Sequence, residues 1–142
     1  MNVADHGPRL TLDPVAGSYA ICRMSPGDSL PPWVVNGTFF SFTRTPTELS
    51  VVCDVASVPA DVKAEGPWSA LAVRGPLDLN MTGVLAGLAT PLANAGISIF
   101  AVSTYDTDYV LVRSHDMDRA VRVLRAAGHN ISDDATGAQR PL

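Results

Sequence analysis

Gly75-Pro76-Leu77-Asp78-Leu79-Asn80-Met81-Thr82-Gly83-Val84-Leu85, carried on to Ala95-Gly96-Ile97-Ser98-Ile99-Phe100 and Ser103-Thr104-Tyr105-Asp106-Thr107-Asp108-Tyr109-Val110-Leu111-Val112, changes its apolar period twice within one short span. Gly75 to Asp78 carries turn residues. Thr82 is then a candidate N-cap for a helix that turns Val84, Leu85, Leu88 and Leu92 toward a core. Gly96 suits the stop of that helix. Pro91 lacks the N–H a helix interior needs, which predicts a kink in the last turn. Ile97 to Thr104 and Asp108 to Val112 are β-type runs flanking Tyr105-Asp106-Thr107, the pattern of a hairpin.

Working outward, Trp68 to Arg74 reads as a strand entering this region. Asp116 to Ala127 reads as a helix leaving it, with Met117, Ala120, Val121 and Leu124 on one face and Gly128 at its end. From Asn130 the chain is polar and is expected to fray. The second half is therefore β-α-β-β-α, one strand short of a split βαβ sandwich, with the final edge strand missing or supplied by the other half.

Upstream, Leu10 to Met24 contains the strand-like Tyr19-Ala20-Ile21-Cys22. Ser25-Pro26-Gly27-Asp28 signals a turn, and the prolines of Leu30 to Val35 allow at most a short helix. Thr38 to Arg44 and Glu48 to Cys53 form a second expected hairpin around Thr45-Pro46-Thr47. Pro59 to Pro67 reads as a polar connector. At an offset of sixty residues, Ser41 to Val52 lies over Ala101 to Val112, with Thr47 on Thr107, Glu48 on Asp108 and Val52 on Val112, which suggests a duplicated hairpin.

The 142 residues suffice for one ordinary domain or two small modules, and 46% apolar with 17% charged residues is a globular composition with much surface to bury. A formal net charge of −4 offers no basic field for nucleic acid. No apolar run is long enough to cross a bilayer, and Met1 to Leu10 lacks the basic and apolar regions of a signal peptide, so a cytoplasmic protein is expected. Cys22 and Cys53 lack CxxC spacing and read as buried small hydrophobes. His6, His115 and His129 show no metal-ligand spacing. No cofactor is expected.

The stretches from Gly75 to Val112, with Phe40 to Thr45 and Glu48 to Val52, resemble the ACT domains, specifically the tandem type of small bacterial ACT proteins, the amino-acid-sensing CASTOR proteins and, more distantly, aspartate kinase regulatory regions. The resemblance implies an α+β fold of two ferredoxin-like ACT units of βαββαβ type, side by side. The first, residues 1–60, would be degenerate, the second would span 61–129, and 130–142 would form a polar tail. It also implies a regulatory protein with no catalysis of its own that senses a free amino acid or similar small zwitterion and acts on an unknown regulated protein; the low charged fraction and the short sheet of the second half, which leaves an edge to be covered, predict a homodimer. The family's ligand-contacting positions fall on Met81, Thr82, Gly83 and Val84 and on Thr104, Tyr105, Thr107 and Asp108. Some relatives that prefer a cationic ligand carry an acid where this chain has Met81, so arginine is not inherited as the ligand.

Those residue types suit the chemistry. A free amino acid needs donors for its carboxylate and an acceptor for its ammonium a few Å apart. A helix start at Gly83 offers unpaired N–H groups at a positive dipole end, and Asp108 offers the negative partner. Against this stand plain structural roles: a helix cap for Thr82 and Gly83, a turn for Asp108 and Asp78, and core or interface packing for Trp33 and Trp68.

Among rival functions, Asp106-Thr107-Asp108-Tyr109-Val110 satisfies the DxDx[TV] of haloacid-dehalogenase-type phosphatases and the DxD of glycosyltransferases. The required downstream lysine is missing, since no Lys follows Asp108. Nothing in the sequence brings Cys53 to His115 as a nucleophile and base. The serious alternative is a ligand-independent interaction or dimerisation module.

Overall fold

Thr11–Met24 forms one long strand, β1, around the apolar run Tyr19-Ala20-Ile21-Cys22 in the computed structural model of the chain, which describes residues 7–133. A one-turn 3-10 helix at Pro32–Val35 follows, then β2 (Ser41–Arg44), β3 (Leu49–Asp54), a 3-10 turn at Val55–Ser57, β4 (Ala64–Val73), α1 (Val84–Asn94), β5 (Ile99–Ser103), β6 (Asp108–Arg113), a 3-10 turn at Ser114–Asp116, α2 (Met117–Ala126) and β7 (Asn130–Ile131). The chain divides into two compact units: Gly17–Ser69, and the residues up to Ala16 together with those from Ala70 on. The ranges of β1 and β4 run through both.

The Gly17–Ser69 unit orders its strands β2-β3-β1-β4. β1 and β3 pair antiparallel from Tyr19↔Asp54 to Met24↔Leu49, and β2 pairs with β3 from Ser41↔Val52 to Arg44↔Leu49. Ala20, Cys22, Val34, Leu49, Val51 and Cys53 form its core, with Trp33, Met24 and Val62 packed against them. Among the described residues this unit holds 3-10 turns and no α-helix, so it matches the implied βαββαβ unit in strands alone. Pro31 and Pro32 withhold two N–H groups where its first helix would start, and the helical segment ends after one turn.

The other unit is built as β4-α1-β5-β6-α2-β7, with strand order β7-β1-β4-β6-β5. The last strand corrects the expectation of a frayed tail at its start: Asn130 and Ile131 pair in parallel with Thr11 and Leu12, Asn130 N–H donating to Leu10 O at 2.8 Å and Ser132 N–H to Leu12 O at 3.0 Å. Ile131 is buried in the core with Leu12, Leu71, Leu88, Leu92 and Leu124. Asp13, also buried, accepts Arg74 Nε at 3.1 Å and Arg74 Nη2 at 2.6 Å, and Ser132 Oγ donates to it at 2.9 Å. The carboxylate raises the Arg74 guanidinium pKa above its usual value by hydrogen bonding and charge.

Three expectations change in detail. Ala64–Pro67 belongs to β4 rather than to a connector, and its exposed side chains carry no apolar alternation that would have marked it as strand. Leu85 is exposed, because α1 begins at Val84 and buries Val84, Gly87, Leu88 and Leu92. α1 also continues through Pro91 to Asn94.

The reason for that continuity lies outside the helix. Pro91 has no N–H for the carbonyl four residues back, Gly87 O. His129 Nε2 lies 2.9 Å from that oxygen, while His129 Nδ1 accepts Leu10 N–H at 3.1 Å. A ring that accepts at Nδ1 must carry its proton at Nε2, so this tautomer donates to Gly87 O. The chain turn that delivers His129 is the end of α2: Gly128, at φ +101°, lets His129 N–H return to Leu124 O at 3.1 Å.

The hairpins do repeat, with a register of fifty-nine rather than sixty. Thr45 N–H donates to Glu48 O and Thr104 N–H to Thr107 O, both at 2.8 Å. Thr45 Oγ1 accepts Glu48 N–H and Thr104 Oγ1 accepts Thr107 N–H, both at 3.1 Å. The four-residue turns Thr45–Glu48 and Thr104–Thr107 are thus closed by the same threonine, β3 and β6 follow them, and each strand ends in a one-turn 3-10 helix.

Candidate functional site

A cavity of about 200 Å³ opens between the loop that leaves β4 and the β5–β6 turn. From the loop and the start of α1 come Leu77, Asp78, Leu79, Met81 and Val84; from the hairpin come Ser103, Thr104, Tyr105, Asp106, Thr107 and Asp108. Six of the eight residues expected from the sequence, Met81, Val84, Thr104, Tyr105, Thr107 and Asp108, line this one cavity. Thr82 and Gly83 do not.

Local chemistry fixes both walls. Asp78 accepts Asn80 N–H on Oδ1 and Met81 N–H on its carbonyl, each at 2.9 Å, so it is the turn residue of the loop as well as a wall of the cavity. Leu77 N–H donates to Asp106 O at 2.7 Å, and Thr107 Oγ1 to Val73 O at 2.5 Å. These two bonds stitch the loop and strand end to the hairpin turn. They also commit the Thr107 hydroxyl proton, leaving that oxygen to act as an acceptor.

The helix start differs from the expectation. Gly83, not Thr82, is the N-cap; it has φ +83°, in the left-handed region, and no side-chain oxygen caps the helix. Its carbonyl accepts Gly87 N–H at 2.9 Å, and its backbone lies against Gly7, where a Cβ would sit 2.9 Å from Gly83 O. A glycine here serves the backbone path and this close contact. The first N–H groups of α1, with Val84 beside the cavity, still form the positive end of an eleven-residue helix.

Asp78, Asp106 and Asp108 give the cavity three carboxylates, and its residues include no Lys or Arg. Of its apolar residues, Leu79 (66% exposed), Met81 and Tyr105 (80% exposed) are open to solvent. Sequence reasoning missed Leu77, Leu79, Ser103 and Asp106 and took Asp78 as a turn residue alone; the Gly75-Pro76 turn before Leu77 was the available sign that this loop folds back on the hairpin. Among the described residues no cluster of three or more His, Cys, Asp or Glu is placed to hold a metal. Cys53 is buried beside Cys22, and burial first, then the neighbouring thiol, pushes its pKa up to about 12, which disfavours a thiolate nucleophile. No helix of the described residues is long and apolar enough to cross a membrane.

A loop leading to a helix start, packed on a β-hairpin within β-α-β-β-α-β, is ACT architecture, and residues 63–126 match the ACT domain model. That segment of the chain is an ACT domain. A second family model, of an N-terminal domain, matches residues 17–61. Among relatives, the human cytosolic arginine sensor for mTORC1 subunit 1 is 31% identical over 96 residues, 62% of this chain and 29% of that protein. The chain spans between 29% and 56% of the length of the curated relatives it matches. Among solved structures, protein Atu0741 from Agrobacterium tumefaciens is 41% identical, with TM-score 0.84 over 88% of this chain and 93% of that one. The regulatory subunit of aspartate kinase from Thermus flavus shares the fold at TM-score 0.54 and 10% identity, over 87% of this chain and 99% of that one.

Proposed function

We propose that the protein is a non-catalytic regulatory sensor that binds a free amino acid, or a similar small zwitterion, in the cavity between the Leu77–Val84 loop and the Ser103–Asp108 turn. One observation carries this reading: a single cavity inside the ACT segment gathers a helix start and the Asp108 carboxylate. The helix N–H groups receive the carboxylate; Asp108, supported by Asp78 and Asp106, receives the ammonium, and Thr104, whose hydroxyl donates to Thr107 O, holds the turn that carries Asp108. Met81, Val84 and Tyr105 face the ligand's side chain, and Thr82, Gly83 and Thr107 act by shaping the walls. The arginine sensor among its relatives supports an amino acid as the class of ligand. Action in the cytoplasm, as a homodimer, on a separate regulated protein belongs to the same reading.

A thermal-shift series with each of the twenty amino acids tests it. One or a few should raise the melting temperature with saturation. The exposed apolar side chains of Leu79, Met81 and Tyr105 favour a second reading, a ligand-independent interaction or dimerisation module. A flat response to all twenty, with a self-associating protein, would select that one.

A further inference from the structure

Pro31 and Pro32 start a helical turn that stops after Val35, and the chain then bends through Asn36-Gly37-Thr38 on its way to β2. Val34, 1% exposed, anchors this turn in the core of the Gly17–Ser69 unit, while Asn36 is open to solvent at its end. A Cβ added to Gly37 would sit 2.5 Å from Asp54 Oδ2 and 2.9 Å from Asp54 Cγ, so the carboxylate at the end of β3 packs on this glycine. The fold thereby holds an Asn-Gly pair at an exposed bend.

The side-chain carbonyl carbon of an asparagine lies within reach of the next residue's backbone nitrogen, which attacks it to close a cyclic imide. A bulky next side chain hinders that nitrogen, and a hydrogen bond on its N–H holds it in place. Neither restraint acts at Asn36. Glycine adds no side chain, and among the described residues neither the Gly37 N–H nor the Asn36 side-chain amide makes a hydrogen bond. Ring closure turns ψ of Asn36 away from −4°, and no bond of the Gly37 N–H opposes that turn. The other described asparagines are restrained. Met81 N–H, after Asn80, donates to Asp78 O at 2.9 Å, and Ala95 N–H, after Asn94, donates to Pro91 O at 3.2 Å. Asn130 lies in β7 and is followed by the β-branched Ile131.

We propose that Asn36-Gly37 is a self-modification site of the Gly17–Ser69 unit, at which the amide of Asn36 is lost through a cyclic imide. Gly37 N attacks Asn36 Cγ; the N–Cγ bond forms as the Cγ–Nδ2 bond breaks, and ammonia leaves carrying the Gly37 amide proton. Water then opens the imide. Addition at Cγ gives aspartate, and addition at the Asn36 backbone carbonyl gives isoaspartate, with the main chain rerouted through the side chain. Either product adds a negative charge next to the glycine on which Asp54 packs, and the second also lengthens the backbone just after the Val34 anchor.

Peptide mapping of the full chain, after incubation over days in mildly alkaline buffer, tests the site. The peptide containing residue 36 should gain about 1 Da, with fragmentation placing the gain at that residue, and should split into aspartate and isoaspartate isomers. Conversion at Asn36 should run about tenfold or more ahead of Asn80 and Asn94, whose following N–H groups are bonded. Gly37 lies outside the left-handed region, so Gly37→Ala suits the backbone and displaces only the tip of Asp54. That variant should keep its melting temperature within a few degrees and slow the conversion at Asn36 by about tenfold. The inference is overturned if Asn36 keeps its amide throughout, if Asn80 or Asn94 converts as fast, or if a folded Gly37→Ala converts at the wild-type rate.

Discussion

His129 serves the carbonyl that Pro91 leaves without its helical donor: Nε2 of the imidazole lies 2.9 Å from Gly87 O, one turn before the proline. The same ring accepts Leu10 N–H, so one side chain satisfies two buried backbone groups on separate elements. His129→Phe removes both bonds. With each unsatisfied buried group costing about 1–3 kcal/mol, the variant should lose about 2–4 kcal/mol in urea denaturation. Pro91→Ala restores an N–H for Gly87 O, so it should recover part of that loss in the His129→Phe background. An equal effect of Pro91→Ala in both backgrounds would refute the relationship.

Asp108→Ala should abolish the ligand-induced shift while leaving the unliganded melting point nearly intact. Losing the charged partner of a bound ammonium costs on the order of 2 to 5 kcal/mol, roughly thirty-fold or more in affinity. Wild type at about a hundred times its dissociation constant gains about 2.7 kcal/mol, which a melting curve resolves. A full shift in the variant would move the ammonium elsewhere.

The repeated threonine turns provide a paired control. Thr45→Val and Thr104→Val each remove the hydroxyl that closes a four-residue turn, so both should cost about 1 kcal/mol in chemical denaturation. Thr104 lines the ACT cavity and Thr45 does not. Isothermal titration should therefore find amino-acid affinity lowered in Thr104→Val alone; equal affinity in both would place the ligand away from the turn.

Gly83→Ala tests the helix start. At φ +83° a Cβ is strained by about 1–2 kcal/mol, and it would also meet Gly7 Cα at 3.4 Å. The melting temperature should fall before any ligand is added. An unchanged melting point would mean that α1 can begin along another backbone path.

The two core thiols set a pH dependence. A thiol whose folded pKa is raised stays protonated in the fold while the unfolded chain ionises near 9.0, so stability is complete below pH 9 and falls as pH rises from there toward about 12. Urea midpoints at pH 8 and pH 10 should drop more for wild type than for Cys22→Ala/Cys53→Ala. Parallel slopes would assign the loss to other groups.

Much of this was written locally. The hairpins showed because apolar residues alternate on either side of turn residues, and α2 because Ala120 and Leu124 recur at helical spacing. β7 did not show, since two residues with one buried side chain make no period, and its pairing with Thr11 and Leu12 is settled by partners far away in sequence. Residue type misassigned the cap to Thr82, because the left-handed path through Gly83 is a property of the backbone. In the cavity, the polar turn residues were visible and Leu77 and Leu79 were not, as nothing in an isolated leucine says whether it faces a core or a ligand.

The parallel pairing of Thr11–Leu12 with Asn130–Ile131 has a consequence for the order of events during synthesis. Translation proceeds from the N-terminus, so the Gly17–Ser69 unit emerges with all its strands while the other unit still lacks most of its elements. The first half of β1 must wait beside an unfilled position until the residues after α2 leave the ribosome. The His129 bond to Leu10, across a sequence separation of 119, and the Ile131 contribution to the core arrive together at that moment, so the loop-closure entropy of this pairing is met late. A chain stalled or cleaved just after Gly128 would hold both helices and still leave Gly87 O and Leu10 N–H without their imidazole.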